Sequence, residues 1–519
     1  MEKKDESTKK SRTPKEVLSI AWNSLRKTLR TWNAGLQKVY NPNRSAALGA
    51  FIVFVIAVFL LFIPPYIGTA DDGALTAILQ NAGLGYRLQD LEAPVGSYFI
   101  RLFLHSARIR TGISSHVFLI RIAMFFDNLF TGDNLFDVRF LSGLYLLLYL
   151  PAVWLFIRGV VSRVNYASEA LFLTILCAVI LADGSILCYF NSLYPEAIWQ
   201  ILLAYSFGFI LAFQYGKERW NHIGFLGLSA AGTILVFTES HCAAIGLVLM
   251  LLCLRQITMT DGTRQTKVFS VMSASVLLIA SILSWSAGTS RFDDASKLHS
   301  MTTGVLLRSL NPEATLKEFG IEPRYETLTD ISSYADYPYV TFGNPEIQEG
   351  FLDQYSLLSV MLYYLKHPFA FTGLLEIGTN ASFNIIRSYV GNYERSLGLP
   401  ERARNPLFIL YSNLKASALP RTLGFIILLT VIYLSLFRTR TGFQKRAVNY
   451  GTREKEVMID TFITAIAMGI TSISIIILKS GTAELERYQL LYGFCIDVMI
   501  ILLLAEVLHR LNILSIEED

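Results

Sequence analysis

The sequence predicts an all-α polytopic membrane protein, a bundle of about ten transmembrane helices with juxtamembrane helices in its outer loops. Three observations predict it. Hydrophobic residues make up 53% of the 519-residue chain and charged residues 17%, for a mean hydropathy of +0.44, which soluble globular chains rarely combine. The apolar residues gather in runs close to the length that crosses a bilayer as a helix. Lysines and arginines gather between alternate runs, the pattern that the positive-inside rule requires.

Taken in order, residues 1–45 carry eleven Lys and Arg and form a basic cytoplasmic segment. Within it, residues 16–40 set Val17, Ile20, Trp22, Leu25, Leu29 and Trp32 among basic residues, which suits a helix lying on the inner leaflet. The first span is 46–67 and opens an N-terminal transmembrane module over 46–287. A first outer loop follows at 68–137; its stretch 117–130 contains Arg121 and Asp127 and is too short to span, so an interfacial helix is expected there. The next spans are 138–157, 169–189, 196–213, 221–237, 241–254 and 268–287. The fifth and sixth spans of the chain are separated only by Thr238-Glu239-Ser240, as in a helical hairpin or a pair of broken helices. Residues 288–419 form a large extracytoplasmic connection with its own helices. Turn signals mark it at Asn311-Pro312 and Gly343-Asn344-Pro345, and a break falls at Lys366-His367-Pro368. Spans 420–437, 459–478 and 488–508 complete the chain, with a C-terminal region over 420–519 that ends in a short cytoplasmic tail. Six basic residues within 438–458 belong inside with the N-terminal segment, so both termini are expected in the cytoplasm of a cell-membrane protein. The five cysteines all fall in spans or at their ends, and an outer connection without them suits a bacterial envelope.

Soluble-enzyme signatures are absent. The chain has no GxxxxGK[ST] loop, no GxGxxG after a strand, no HExxH and no paired CxxC, so nucleotide hydrolysis, Rossmann binding and zinc chemistry find no support. No nucleic-acid partner is expected. A cell-surface enzyme of this kind needs an activated substrate already in the membrane. Asp71 and Asp72 stand just past the first span, in Gly68-Thr69-Ala70-Asp71-Asp72-Gly73. Charge beside hydrocarbon is costly unless solvated, paired or used. A carboxylate there is suited to act as general base toward a hydroxyl, and Arg487 is suited to neutralise a leaving phosphate through two parallel hydrogen bonds. The pair is equally suited to a divalent cation, Mg or Mn, the one cofactor candidate. A purely structural use, an N-cap and turn opening the next helix, engages one carboxylate and leaves the second unexplained.

Other polar residues fall near the same outer boundary: Asp183, Asn191, Tyr194, Glu196, Glu239, His241, Glu484, Glu486 and Arg487. Each has a local role open to it. Asp183 caps a helix beside Gly184, Glu196 meets the positive end of a helix after Pro195, Glu239 pairs with His241, and Arg487 pairs with Glu484 or snorkels to the interface. Together they describe a wet, acidic cavity that opens outward.

This arrangement resembles the GT-C glycosyltransferases, multispan enzymes that take sugars from polyprenyl-phosphate or polyprenyl-diphosphate donors at the extracytoplasmic face. The resemblance rests on Asp71-Asp72-Gly73, Asn191-Ser192-Leu193-Tyr194-Pro195-Glu196, Glu486-Arg487-Tyr488 and Tyr364-Leu365-Lys366-His367-Pro368. It implies a hexosyltransferase with a polyprenyl-phosphate-sugar donor, a cell-envelope glycan or lipid acceptor, and contact with membrane lipids. It implies Asp71 or Asp72 as the group that deprotonates the acceptor, and Arg487, Tyr488, Glu196, Tyr194, Glu239, His241 and His367 as substrate-binding residues. No Trp-Trp-Asp-type motif and no separate C-terminal globular domain is found, which argues against the oligosaccharyltransferase branch. Two other readings remain: a polymerase or ligase of lipid-linked oligosaccharides, and a flippase or transporter. The acidic first loop argues against the first. The lack of matched inverted repeats argues against the second.

Overall fold

The computed structural model describes residues 28, 37, 38 and 40–511, except 92–94, 107–113, 165, 214–217, 260–262, 290–291, 334–341, 385–386, 388, 408 and 439–449. Most of the stretch 16–40 and most of the basic segment 438–458 therefore lie outside the described residues.

Each expected span is built on a helix. α1 (Pro42–Phe62) starts where Asn41 accepts a hydrogen bond from the Asn43 N–H, with Pro42 filling the first helical position. α4 (Val138–Val161) starts on Asp137, whose carboxylate accepts from the Arg139 N–H. Between them lie α2 (Leu75–Ala82) and α3 (Ser115–Thr131), the latter a helix over the stretch 117–130. Phe118, Phe125, Leu129 and Phe130 of α3 are exposed. The bundle continues with α5 (Ala167–Leu181), α6 (Gly184–Leu187), α7 (Glu196–Ala212), α8 (Glu218–Val236), α9 (Ala243–Met259) and α10 (Arg264–Thr289). α11 (Asp294–His299), α12 (Pro312–Glu318), α13 (Leu357–Lys366), α14 (Pro368–Phe383) and α15 (Leu410–Ala418) occupy the large connection; α16 (Leu423–Arg438), α17 (Tyr450–Ser480) and α18 (Leu485–Leu511) close the chain.

The molecule is an all-α multi-pass membrane protein, and the candidate spans among its described residues come near the expected ten without reaching it. Among the described residues six helices are long and apolar enough to cross a bilayer, or eight if each of two bent pairs counts as one span. The bent pairs are α5 with Gly184–Phe190, at 42°, and α15 with the α16 helix, at 99°. α7 is apolar but only 17 residues long, and α8 opens on Glu218, Arg219, Asn221 and His222, which dilute its apolar run.

Contacts at the helix ends sort the bundle into two faces. At one, the Tyr40 hydroxyl donates to Val161 O (2.7 Å), Arg163 donates to Phe213 O (3.3 Å), Arg255 pairs with Asp460 (2.5 Å), and His509 lies 3.6 Å from Glu169. At the other, Ser284 donates to Val236 O (2.8 Å) and Lys479 to Ser240 (2.8 Å). Two small sheets sit on this second face. β1 (Ile67–Thr69) pairs antiparallel with β5 (Val390–Tyr393), and β2 (Leu84–Gly85), β3 (Leu102–His105) and β4 (Leu135–Asp137) form the other. β1 and β5 join the first loop to the large connection.

Candidate active site

The acid pair projects from a rigid seam. Asn191, in the turn before α7, donates its amide to Leu61 O (3.1 Å) and Ile67 O (2.8 Å), and its side-chain oxygen accepts from the Ser142 hydroxyl. The Asn191 backbone carbonyl also accepts from the Thr69 N–H (3.3 Å), and Tyr389 O accepts from the Ala70 N–H (2.8 Å). A Cβ on Gly68 would lie 2.5 Å from the Asn191 carbonyl oxygen and 2.4 Å from the Phe99 ring, so the strand approaches this closely only with glycine at 68.

Each carboxylate then commits one oxygen to the turn into α2. Asp71 Oδ1 accepts from the Gly73 and Leu75 N–H groups (2.7 and 3.3 Å), and Asp72 Oδ1 accepts from the Ala74 N–H (3.0 Å). Gly73 has φ +98, which glycine adopts without strain. The remaining atoms face tyrosines and a guanidinium. Asp71 Oδ2 accepts from the Tyr86 hydroxyl (2.6 Å), and the Tyr194 hydroxyl donates to Asp72 Oδ1 (2.6 Å) while accepting the Asp72 N–H (2.9 Å). Asp72 Oδ2 lies 3.8 Å from Arg487 Nε. Burial, aided by the bond to Asp71, holds the Tyr86 phenol above its ordinary pKa, so it stays a proton donor.

Arg487 and Tyr488 lie in the first turn of α18. The guanidinium stands 5.7 Å from the Tyr194 ring centre and 5.4 Å from that of Tyr488, and its Nε is buried without a hydrogen-bond partner. Glu196, first residue of α7, is 2% exposed, and its Oε2 also lacks a partner. The Tyr488 hydroxyl donates to Glu239 (3.2 Å), His241 Nδ1 lies 3.7 Å from the same carboxylate, and the His241 ring packs on Tyr488 at 4.5 Å. Eight of the nine expected site residues thus come together. His367 stands apart: the break before Pro368 turns it toward Glu318 (3.5 Å) and onto the Tyr363 ring (4.4 Å).

A cavity of about 550 Å³ adjoins the cluster, with Glu239, His241 and Tyr488 in its wall. Asp71 and Asp72 are not in that wall; Arg487 and Tyr488 link them to it. The cavity adds two residues that sequence reasoning passed over, His116 and Lys479, and places Glu484, one of the boundary acids, in its wall. Lys479 ends an apolar run, where a cation reads as a snorkelling anchor. His116 opens the helix expected at the interface, and nothing in the spacing of Tyr86 marks it as a partner of Asp71. Burial pulls the His116 pKa down to about 4, with the Arg487 charge adding to it against a hydrogen bond to the Leu193 backbone, so the ring is neutral at pH 7.

The acid pair does not fit a divalent cation. Three of its four oxygens already accept hydrogen bonds, and the fourth faces Arg487. Among the described residues no group of three or more His, Cys, Asp or Glu is placed to hold a metal. Asp183 serves the local role open to it, accepting from Ser185 (3.0 Å) and from the Ser412 N–H (3.0 Å).

A family model described as the YfdI N-terminal transmembrane domain matches residues 32–519. Comparison with curated proteins and with solved structures gives no match.

Proposed function

The chain belongs to the YfdI N-terminal transmembrane domain family, and we propose that it is a GT-C-type glycosyltransferase of the cell membrane. On this reading it moves a hexose from a polyprenyl-phosphate-linked donor to a cell-envelope glycan or lipid acceptor. The site works at the extracytoplasmic face, since the positively charged turns belong inside. One observation carries the reading: Asp72 Oδ2, the one oxygen of the acid pair without a hydrogen bond, faces the Arg487 guanidinium beside a cavity among the helix ends.

The chemistry follows from that placement. Asp72 takes the proton from an acceptor hydroxyl, whose oxygen forms a bond to the anomeric carbon of the donor sugar. The bond from that carbon to the phosphate oxygen breaks, and the electron pair leaves with the phosphate. Arg487 neutralises the leaving charge, with Lys479 across the cavity as a second cation. Asp71, held by Tyr86 and the turn, fixes the geometry of its neighbour. Mass spectrometry of envelope polymers from a deletion strain tests the reading. A missing hexose on chains of normal length is expected. Shortened chains would instead indicate polymerisation, and unchanged chains would contradict both.

A further inference from the structure

We propose that a second cavity, of about 380 Å³, holds the acceptor glycan; the assignment rests on the transferase reading. This cavity shares no residue with the first and is walled by Arg87, Asp90, Tyr98, Arg101, Glu394 and Arg395, among others. It lies where the first loop meets the large connection. Three contacts tie it to the acid pair. Phe99, in its wall, bridges to Ala70; the Gly96 N–H donates to Asp71 O (2.7 Å); and Tyr86, beside Arg87, donates to the Asp71 carboxylate.

The wall chemistry selects a polyhydroxylated ligand. Arg87 grips Asp90 through two nitrogens (2.7 and 3.3 Å), and Arg101 grips Glu394 and Asp137 (both 2.5 Å). Held in pairs, these planar groups keep spare N–H donors and carboxylate lone pairs in fixed positions, which suits neighbouring hydroxyls and lowers the ordering cost of binding. Three arginines stand in the wall against Asp90 and Glu394, so all but one of its positive charges are matched by a carboxylate within it. Tyr98 offers a ring to the apolar face of a sugar, and Arg395, whose guanidinium donates to Gln89 O (3.2 Å), offers further donors.

The test uses the full chain in detergent with envelope glycan extracted from a deletion strain, and the variants Tyr98→Ala, Tyr98→Phe and Arg395→Gln. With donor saturating, Tyr98→Ala and Arg395→Gln should raise the acceptor KM about tenfold, as loss of one good contact does, and leave kcat and the donor KM unchanged. Tyr98→Phe should stay near the unsubstituted protein, because it keeps the ring. Binding of the same glycan without donor should weaken in parallel. An unchanged acceptor KM and unchanged glycan binding in Tyr98→Ala and Arg395→Gln would overturn the inference, as would a donor KM that rises with the acceptor KM. If the unsubstituted protein binds the glycan and the variants lose it, but no sugar is transferred, the cavity stands as a glycan site and the transferase reading falls.

Discussion

Arg487 carries a permanent charge in the first turn of α18, within reach of Asp72 and of two tyrosine rings. A guanidinium can grip a phosphate with two parallel bonds and an ammonium cannot. Arg487→Lys should therefore weaken donor use at near-normal yield, and Arg487→Ala should weaken it further. If Arg487→Ala lowers only thermal stability, with turnover per folded molecule intact, the residue is a structural ion pair. His116 gives a second prediction, in pH. Its folded pKa of about 4 lies below the ordinary 6.5, so its contribution to stability is present above pH 6.5 and is lost as pH falls toward 4. The loss is on the order of 3 kcal/mol at most, and His116→Gln should flatten the fall in Tm across that window; an unchanged acid limb would show that His116 is not its source. At this scale the sequence shows the acid pair and Arg487 because charge beside an apolar run is conspicuous. Lys479, Tyr86 and His116 stay hidden, since their roles come from partners 15 to hundreds of residues away.

At the scale of elements, β1 decides where the acid pair points. Asn191 holds it through two backbone carbonyls and Ser142. Asn191→Ala leaves those groups without their partner in a buried setting and should cost on the order of 2–4 kcal/mol. It should also reduce transfer by protein that remains folded, which a merely distant structural role would not do. Gly68→Ala forces the strand from the Asn191 carbonyl and should act similarly, read as residual activity per folded molecule. The helices are legible in the sequence, because an apolar run of bilayer length is seldom anything but a buried or spanning helix. The bends are not. α15 turns back on α16 at 99° and carries Lys415, which is buried against Asp497 of α18 (2.6 Å). Read along the chain, that lysine belongs to a polar loop, and only its partner in another helix makes its burial tolerable.

For the whole molecule, the two faces of the bundle follow from the end contacts, and the proposed outward direction of the acid pair rests on the positive-inside rule. The native cysteines are all buried, so single exposed cysteines can report sidedness. Thr327→Cys should react with an impermeant reagent on intact cells, and Glu218→Cys, at the opposite ends of the helices, should react only after permeabilisation. The reverse result would place the acid pair in the cytoplasm and remove the donor-side argument. The most direct measurement is transfer of labelled hexose from a prenyl-phosphate donor to envelope glycan by the purified protein and its Asp72→Asn variant. If Asp72 is the general base, the unsubstituted protein transfers the sugar and the variant loses about 100-fold or more of that rate, with Tm unchanged. Equal transfer by the two would contradict it.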